Sequence, residues 1–176
     1  MLIQRPVSHY GYTVASIPEA VRHFSSAFGA GPFLLIEKMR LDAVSHYGES
    51  CTFVHSAAFG QWGGLAIELM QIEECSPPSL AQHYFPGPVP LVNHVAFLSP
   101  EPEADSARLD ELGCRQFMHS RIGPVEARLH DARHAIGCAI EIHRQTDFIE
   151  RFFEHVQGIS RGWDGHNPLR PFRPDA

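Results

Sequence analysis

Two histidines and two glutamates occupy matching places in this chain. The stretches VSHYGYTV at 7–14 and VNHVAFLS at 92–99 share a frame of apolar residue, spacer and histidine, giving His9 and His94, while AIELMQ at 66–71 and AIEIHR at 139–144 place Glu68 and Glu141 in one apolar setting. Imidazole nitrogens and carboxylate oxygens are the donors that a borderline divalent ion takes. An ionised carboxylate inside an apolar strand is tolerated only when paired or bound to a metal. The chain has 12 histidines, so one buried histidine alone reads as hydrogen-bonded core, but two His/Glu pairs at equivalent positions read as one metal site built across an internal duplication.

The elements that must position these residues can be walked in parallel. Alternate strand residues face opposite sides, so His9 shares a face with Gly11, Glu68 with Ala66, His94 with Ala96 and Glu141 with Ala139. Each candidate ligand thus has a small neighbour, and the opposite faces carry bulky residues suited to packing under helices. SIPEAVRHFSSAFG predicts a helix with a Ser16/Glu19 capping box, a stripe of Val21, Phe24 and Phe28, and Gly29 at its end. SPEPEADSARLDELG predicts its counterpart, capped by Ser99 with Pro100 in the first position and a stripe of Ala104, Ala107 and Leu112. Three strands follow each helix: FLLIEKMRL, SCTFVHSA and LAIELMQI, then RQFMHSRI, VEARLHD and AIEIHR. The expected fold is α+β, two tandem βαβββ modules forming a cupped, mostly antiparallel sheet, with a C-terminal helix and tail.

Residues 1–176 are expected to form a single domain, with modules at 7–72 and 91–144, a proline-rich connector at 73–90 and the helix and tail at 145–176. The first module is the longer, and its surplus is expected in loops around DAVSHYGE and AAFGQWGG. The tail motif WDGHNP reads as a docking turn. A formal charge of −6 and a single lysine, Lys38, argue against nucleic acid as a partner. The N-terminus lacks a signal-peptide pattern and no apolar run is long enough for a bilayer, so no membrane partner and a cytoplasmic location are expected. Cys51, Cys75, Cys114 and Cys138 form no close pairs and read as reduced and structural. Arg121, Arg128 and Arg133 are candidate contacts for an anionic substrate group, and His143, on the Glu141 face, is a candidate for supporting that carboxylate or touching substrate.

The order His9, Glu68, His94, Glu141 on paired βαβββ modules resembles the vicinal oxygen chelate superfamily, which includes glyoxalase I, methylmalonyl-CoA epimerase, extradiol dioxygenases and bleomycin-resistance proteins. The resemblance spans about residues 7–144. HYGYTV, IELMQ, NHVAF and IEIHR look like the four ligand strands of the glyoxalase and epimerase branch, and FGAGPF at 28–33 is similar to glyoxalase-like members. It implies one divalent ion per chain (zinc, nickel, cobalt or manganese), held by the four residues with positions open for substrate oxygens. It further implies isomerase, epimerase or lyase chemistry on a small-molecule carbonyl or thioester through an enolate, with Glu141 or Glu68 moving the proton, in a homodimer. Two alternatives stay open: an extradiol-type iron dioxygenase in which Glu68 does not bind metal, and a non-catalytic binder of the bleomycin-resistance type.

Overall fold

The computed structural model describes residues 4–85 and 91–173. The first copy runs β1 (Val7–Thr13), α1 (Ile17–Phe28), β2 (Phe33–Arg40), a hairpin of β3 (Ala43–His46) and β4 (Glu49–Ser50), β5 (Thr52–Trp62) and β6 (Leu65–Ser76). After α2 (Pro78–Tyr84), the second runs β7 (Leu91–Ser99), α3 (Pro102–Glu111), β8 (Gln116–Ile122), β9 (Val125–His130), α4 (Arg133–Ile136) and β10 (Ala139–Arg144), and the chain closes with α5 (Asp147–Ser160) and β11 (Leu169–Pro171). All strands join one sheet in the order β11-β2-β5-β6-β1-β7-β10-β9-β8-β3-β4. Its centre is the antiparallel β1–β7 pair, flanked by the parallel pairs β1–β6 and β7–β10. The two copies are thus related by a pseudo-twofold axis between β1 and β7, and most other pairings are antiparallel.

Helix α1 forms as its sequence predicts. The Ser16 hydroxyl accepts the Glu19 N–H, Gly29 closes the end at φ 64°, and Ile17, Ala20, Val21 and Phe24 are buried against Ile67 and Leu69. Phe28 departs from the expected stripe: it is 54% exposed and lies against Trp62. Helix α3 departs further. It starts two residues later than expected, with Pro102 in the first turn, and Leu112 is 68% exposed while Asp105 and Leu109 are buried. The reason is polar: Asp105 accepts from Ser99 Oγ at 2.6 Å, Arg5 Nε at 3.1 Å and Arg108 Nη1 at 2.7 Å, so a carboxylate rather than an alanine stripe turns inward. Ser99 still serves the helix, accepting the Glu101 N–H.

The two expected loops are both strands. AAFGQWGG is mostly the second half of β5, where Gly60 sits in mid-strand because a Cβ there would lie 2.6 Å from the buried Phe33 ring. DAVSHYGE forms most of the β3–β4 hairpin, turned through Tyr47 and Gly48 at φ 50° and 86°, and β3 pairs with β8 of the other copy. The WDGHNP turn docks the tail: the Trp163 indole donates to His166 O at 2.7 Å, and the Phe33 N–H donates to Pro168 O at 2.7 Å, laying β11 along β2. Residues 86–90 of the expected connector lie outside the described residues.

Candidate metal centre

Across the four central strands, small residues and donors alternate in two rows. One row reads Glu68, Gly11, His94, Ala139 and the next reads Ala66, His9, Ala96, Glu141. The pseudo-twofold axis exchanges the rows. Gly11 makes this possible, because a Cβ there would fall 2.0 Å from Cε1 of the His94 ring. His9 and His94 are buried, as are Glu68 and Glu141, and one donor atom from each lies within 4.8 Å of all the others.

The spacing suits a central ion. His9 Nε2 lies 3.5 Å from Glu68 Oε2 and 3.6 Å from Glu141 Oε2; His94 Nε2 lies 3.2 and 3.1 Å from the same atoms, and the two Nε2 atoms are 3.3 Å apart. An ion bonded at roughly 2.0–2.2 Å holds adjacent donors roughly 3.0–3.5 Å apart. The donor set and its geometry therefore fit a divalent metal.

The other ring nitrogens are also engaged. The Asn93 amide donates to Thr13 Oγ1 at 2.6 Å, which turns its oxygen toward His94 Nδ1, so Nδ1 carries a proton and Nε2 is the nitrogen turned to the cluster, available to an ion once its own proton is lost. Ser8 Oγ is 3.2 Å from His9 Nδ1. These supporting residues were missed in the sequence reading, although the signal was there: in both copies the residue before the histidine is polar. His143 Nε2 lies 3.1 Å from Glu141 Oε2, so the structure brings it to the predicted carboxylate.

Without an ion, the four groups titrate against one another. Burial works against charge on His94, yet the Glu141 and Glu68 carboxylates outweigh it and push its pKa up to about 10. The same balance raises His9. Burial alone would raise the Glu68 carboxyl, but His9 and His94 hold it down to about 2. Glu141 is held well below the usual carboxylate range by His143, His94 and His9 against the same burial.

Helix α5 covers one side of the cluster. The Phe153 ring stacks on His9 at 5.2 Å, and Phe152 meets Phe59 edge-on at 5.0 Å. A cavity of about 40 Å³ reaches Glu68, His94 and Glu141, with apolar walls and His55 and Ser120 as further polar lining. The three candidate arginines are not part of that lining. Arg128 lies opposite Ile142 on the outer face, clamped to Glu126 at 2.7 Å and Glu103 at 3.0 Å. Arg133 pairs with Asp131 at 2.6 Å and lies over the Tyr84 ring, and Arg121 is exposed on β8.

No protein-family model and no curated protein matches this sequence. Solved structures do match. Methylmalonyl-CoA epimerase from Mycobacterium tuberculosis is 17% identical with a TM-score of 0.52, over 86% of this chain and 97% of that one. A hypothetical protein from Bacillus halodurans C-125 is 18% identical with a TM-score of 0.53, over 82% of this chain and 97% of that one.

Proposed function

From a vicinal oxygen chelate fold whose inner face carries four converging donors, we propose that the protein is a divalent-metal-dependent isomerase, epimerase or lyase that moves a proton on the carbon beside a carbonyl. The observation that carries this reading is the paired row of donors and small residues, which brings two buried carboxylates and two imidazoles together at ion-binding distances. The fold alone assigns no chemistry, and the M. tuberculosis epimerase is a neighbour in shape. A divalent ion (zinc, nickel, cobalt or manganese) held by His9, Glu68, His94 and Glu141 would supply Lewis-acid stabilisation of negative charge developing on the carbonyl oxygen.

The chain's own residues supply the rest. Glu141 and Glu68 flank the cluster from opposite copies, so each carboxylate can take or return a proton on one side of a substrate carbon. His143, at 3.1 Å from Glu141 Oε2, fixes the orientation of that carboxylate. Phe153 and Phe59 keep water from the His9 side. The substrate is a small-molecule carbonyl or thioester, and a cytoplasmic location belongs to the same reading. Among the described residues no helix is long and apolar enough to cross a membrane.

Elemental analysis and proton exchange test the reading. Purified protein is expected to hold about one divalent ion per chain, and stoichiometric metal surviving the double change His9→Ala and His94→Ala would exclude the ligand set. Exchange of a substrate's α-proton with deuterated water, followed by NMR, is expected to slow roughly 10²–10⁴-fold in Glu141→Gln if that residue is the base, with Glu68→Gln as the matched control. Turnover that consumes oxygen would replace the isomerase reading with a dioxygenase. A homodimer belongs to the same proposal, since Val7, Leu91, Val92 and Phe148 leave apolar surface exposed. Light scattering that returns 19.7 kDa, the mass of one chain, across a wide concentration range would rule the dimer out.

A further inference from the structure

The cavity beside the cluster has a polarity of its own. Its apolar walls are Leu41, Phe53, Met70, Phe85, Met118 and Leu129, and among the described residues no lysine or arginine lines it. Beyond the cluster itself, His55 and Ser120 are the polar residues of the lining, and His55 is the one with an orphaned ring nitrogen. It projects from β5 into the same cavity that reaches Glu68, His94 and Glu141, and its Nδ1 is buried with no hydrogen-bond partner among the described residues. A buried polar atom without a partner is costly, so an orphaned nitrogen on a residue that lines a cavity points to a guest that completes it. The charge balance points to the kind of guest. Two carboxylates and two neutral imidazoles around a divalent ion sum to zero, and with no cation in the walls a substrate carboxylate or phosphate would enter the cavity uncompensated.

Resting on the metal-dependent reading above, we propose that His55 is the substrate-contacting polar residue of this site. Its Nδ1 hydrogen-bonds a neutral hydroxyl or carbonyl of a small, uncharged carbonyl compound whose other oxygen lies at the His/Glu cluster. His55 lies on the strand that the sequence pattern left partly as loop, and it is distinct from the four ligands and from His143. The role is selection and positioning: His55 receives one polar group, and the six apolar walls reject charged analogues.

Hydroxyacetone and pyruvate share a skeleton and differ in charge, so they separate the possibilities. Zinc-loaded protein labelled with ¹⁵N at histidine is titrated with each and followed by the imidazole resonances. Hydroxyacetone is expected to move the His55 signal and to bind at least tenfold more tightly than pyruvate. His55→Phe, which keeps the ring volume, is expected to weaken hydroxyacetone about tenfold while zinc stoichiometry stays unchanged. His55→Asn, which keeps a polar atom near the Nδ1 position, is expected to restore most of that binding. Pyruvate binding as tightly as hydroxyacetone, or hydroxyacetone binding indifferent to both His55 variants, overturns the inference and leaves the metal site standing. Failure of the unsubstituted protein to take up zinc, nickel, cobalt or manganese overturns the metal reading and this inference with it.

Discussion

At the scale of single residues, the centre depends on what is small as much as on what can bind. His94 occupies the space that any side chain on Gly11 would need, with three of its ring atoms within 2.5 Å of the position a Cβ would take. The ring is buried and tied through Nδ1 to Asn93, so it cannot swing aside cheaply. Gly11→Ala is therefore expected to displace His94 and to lower metal affinity at least tenfold while the circular dichroism of the fold is retained, as isothermal titration with zinc would measure. Unchanged affinity would mean that His94 is not a ligand. Glycine and alanine beside each candidate ligand were visible along each strand, but the sequence showed only half of the pattern. The pairing across strands, Gly11 with His94 and Ala96 with both His9 and Glu141, needed the register of three strands at once.

At the scale of elements, sequence pattern succeeded where local chemistry decides and failed where a distant neighbour does. Ser16, Glu19 and Gly29 act on their own helix, and α1 follows them. Gly60, Trp62 and Gly63 read as loop because glycine is usually a breaker, yet Gly60 is required in β5 by the ring of Phe33, which lies far from it in sequence. Asp105 sets the inward face of α3 through Arg5, about a hundred residues upstream, so the apolar stripe expected from spacing lost to a buried ion pair. Helix α5 was legible as an aromatic helix, but its placement was not. Thr146 caps it by accepting the Ile149 N–H, and the fold then lays Phe153 on His9 and Phe152 on Phe59.

At the scale of the whole molecule, the centre ties the two copies together, since each contributes one histidine and one glutamate across the β1–β7 seam. Metal-free protein should register this in its pH dependence. His94, raised from 6.5 to about 10, contributes stability that is complete below 6.5 and is lost as pH climbs through about 10. Glu68, lowered from 4.5 to about 2, contributes stability that is complete above 4.5 and is lost as pH falls through about 2. Chelator-treated protein is thus expected to melt highest between pH 4.5 and 6.5, where both contributions are whole. A bound ion needs neutral imidazoles and competes with their protons, so saturating zinc should move that maximum toward higher pH. Melting curves that coincide with and without zinc at every pH would refute the link between the cluster and a metal.

The sequence by itself determined the duplication, the opening strand and helix of each copy with the three principal strands that follow, and the four candidate donors, because strand alternation and helix spacing are local properties written in neighbouring residues; the β3–β4 hairpin of the first copy reads as loop. Only the tertiary structure decided which small residues stand between the donors, that Phe153 covers His9, that Arg128 and Arg133 are engaged in ion pairs away from the cavity, and that His55 faces it. Each of these depends on contacts between residues far apart in the chain, and burial and charge compensation set those contacts only after the sheet has brought its two halves together.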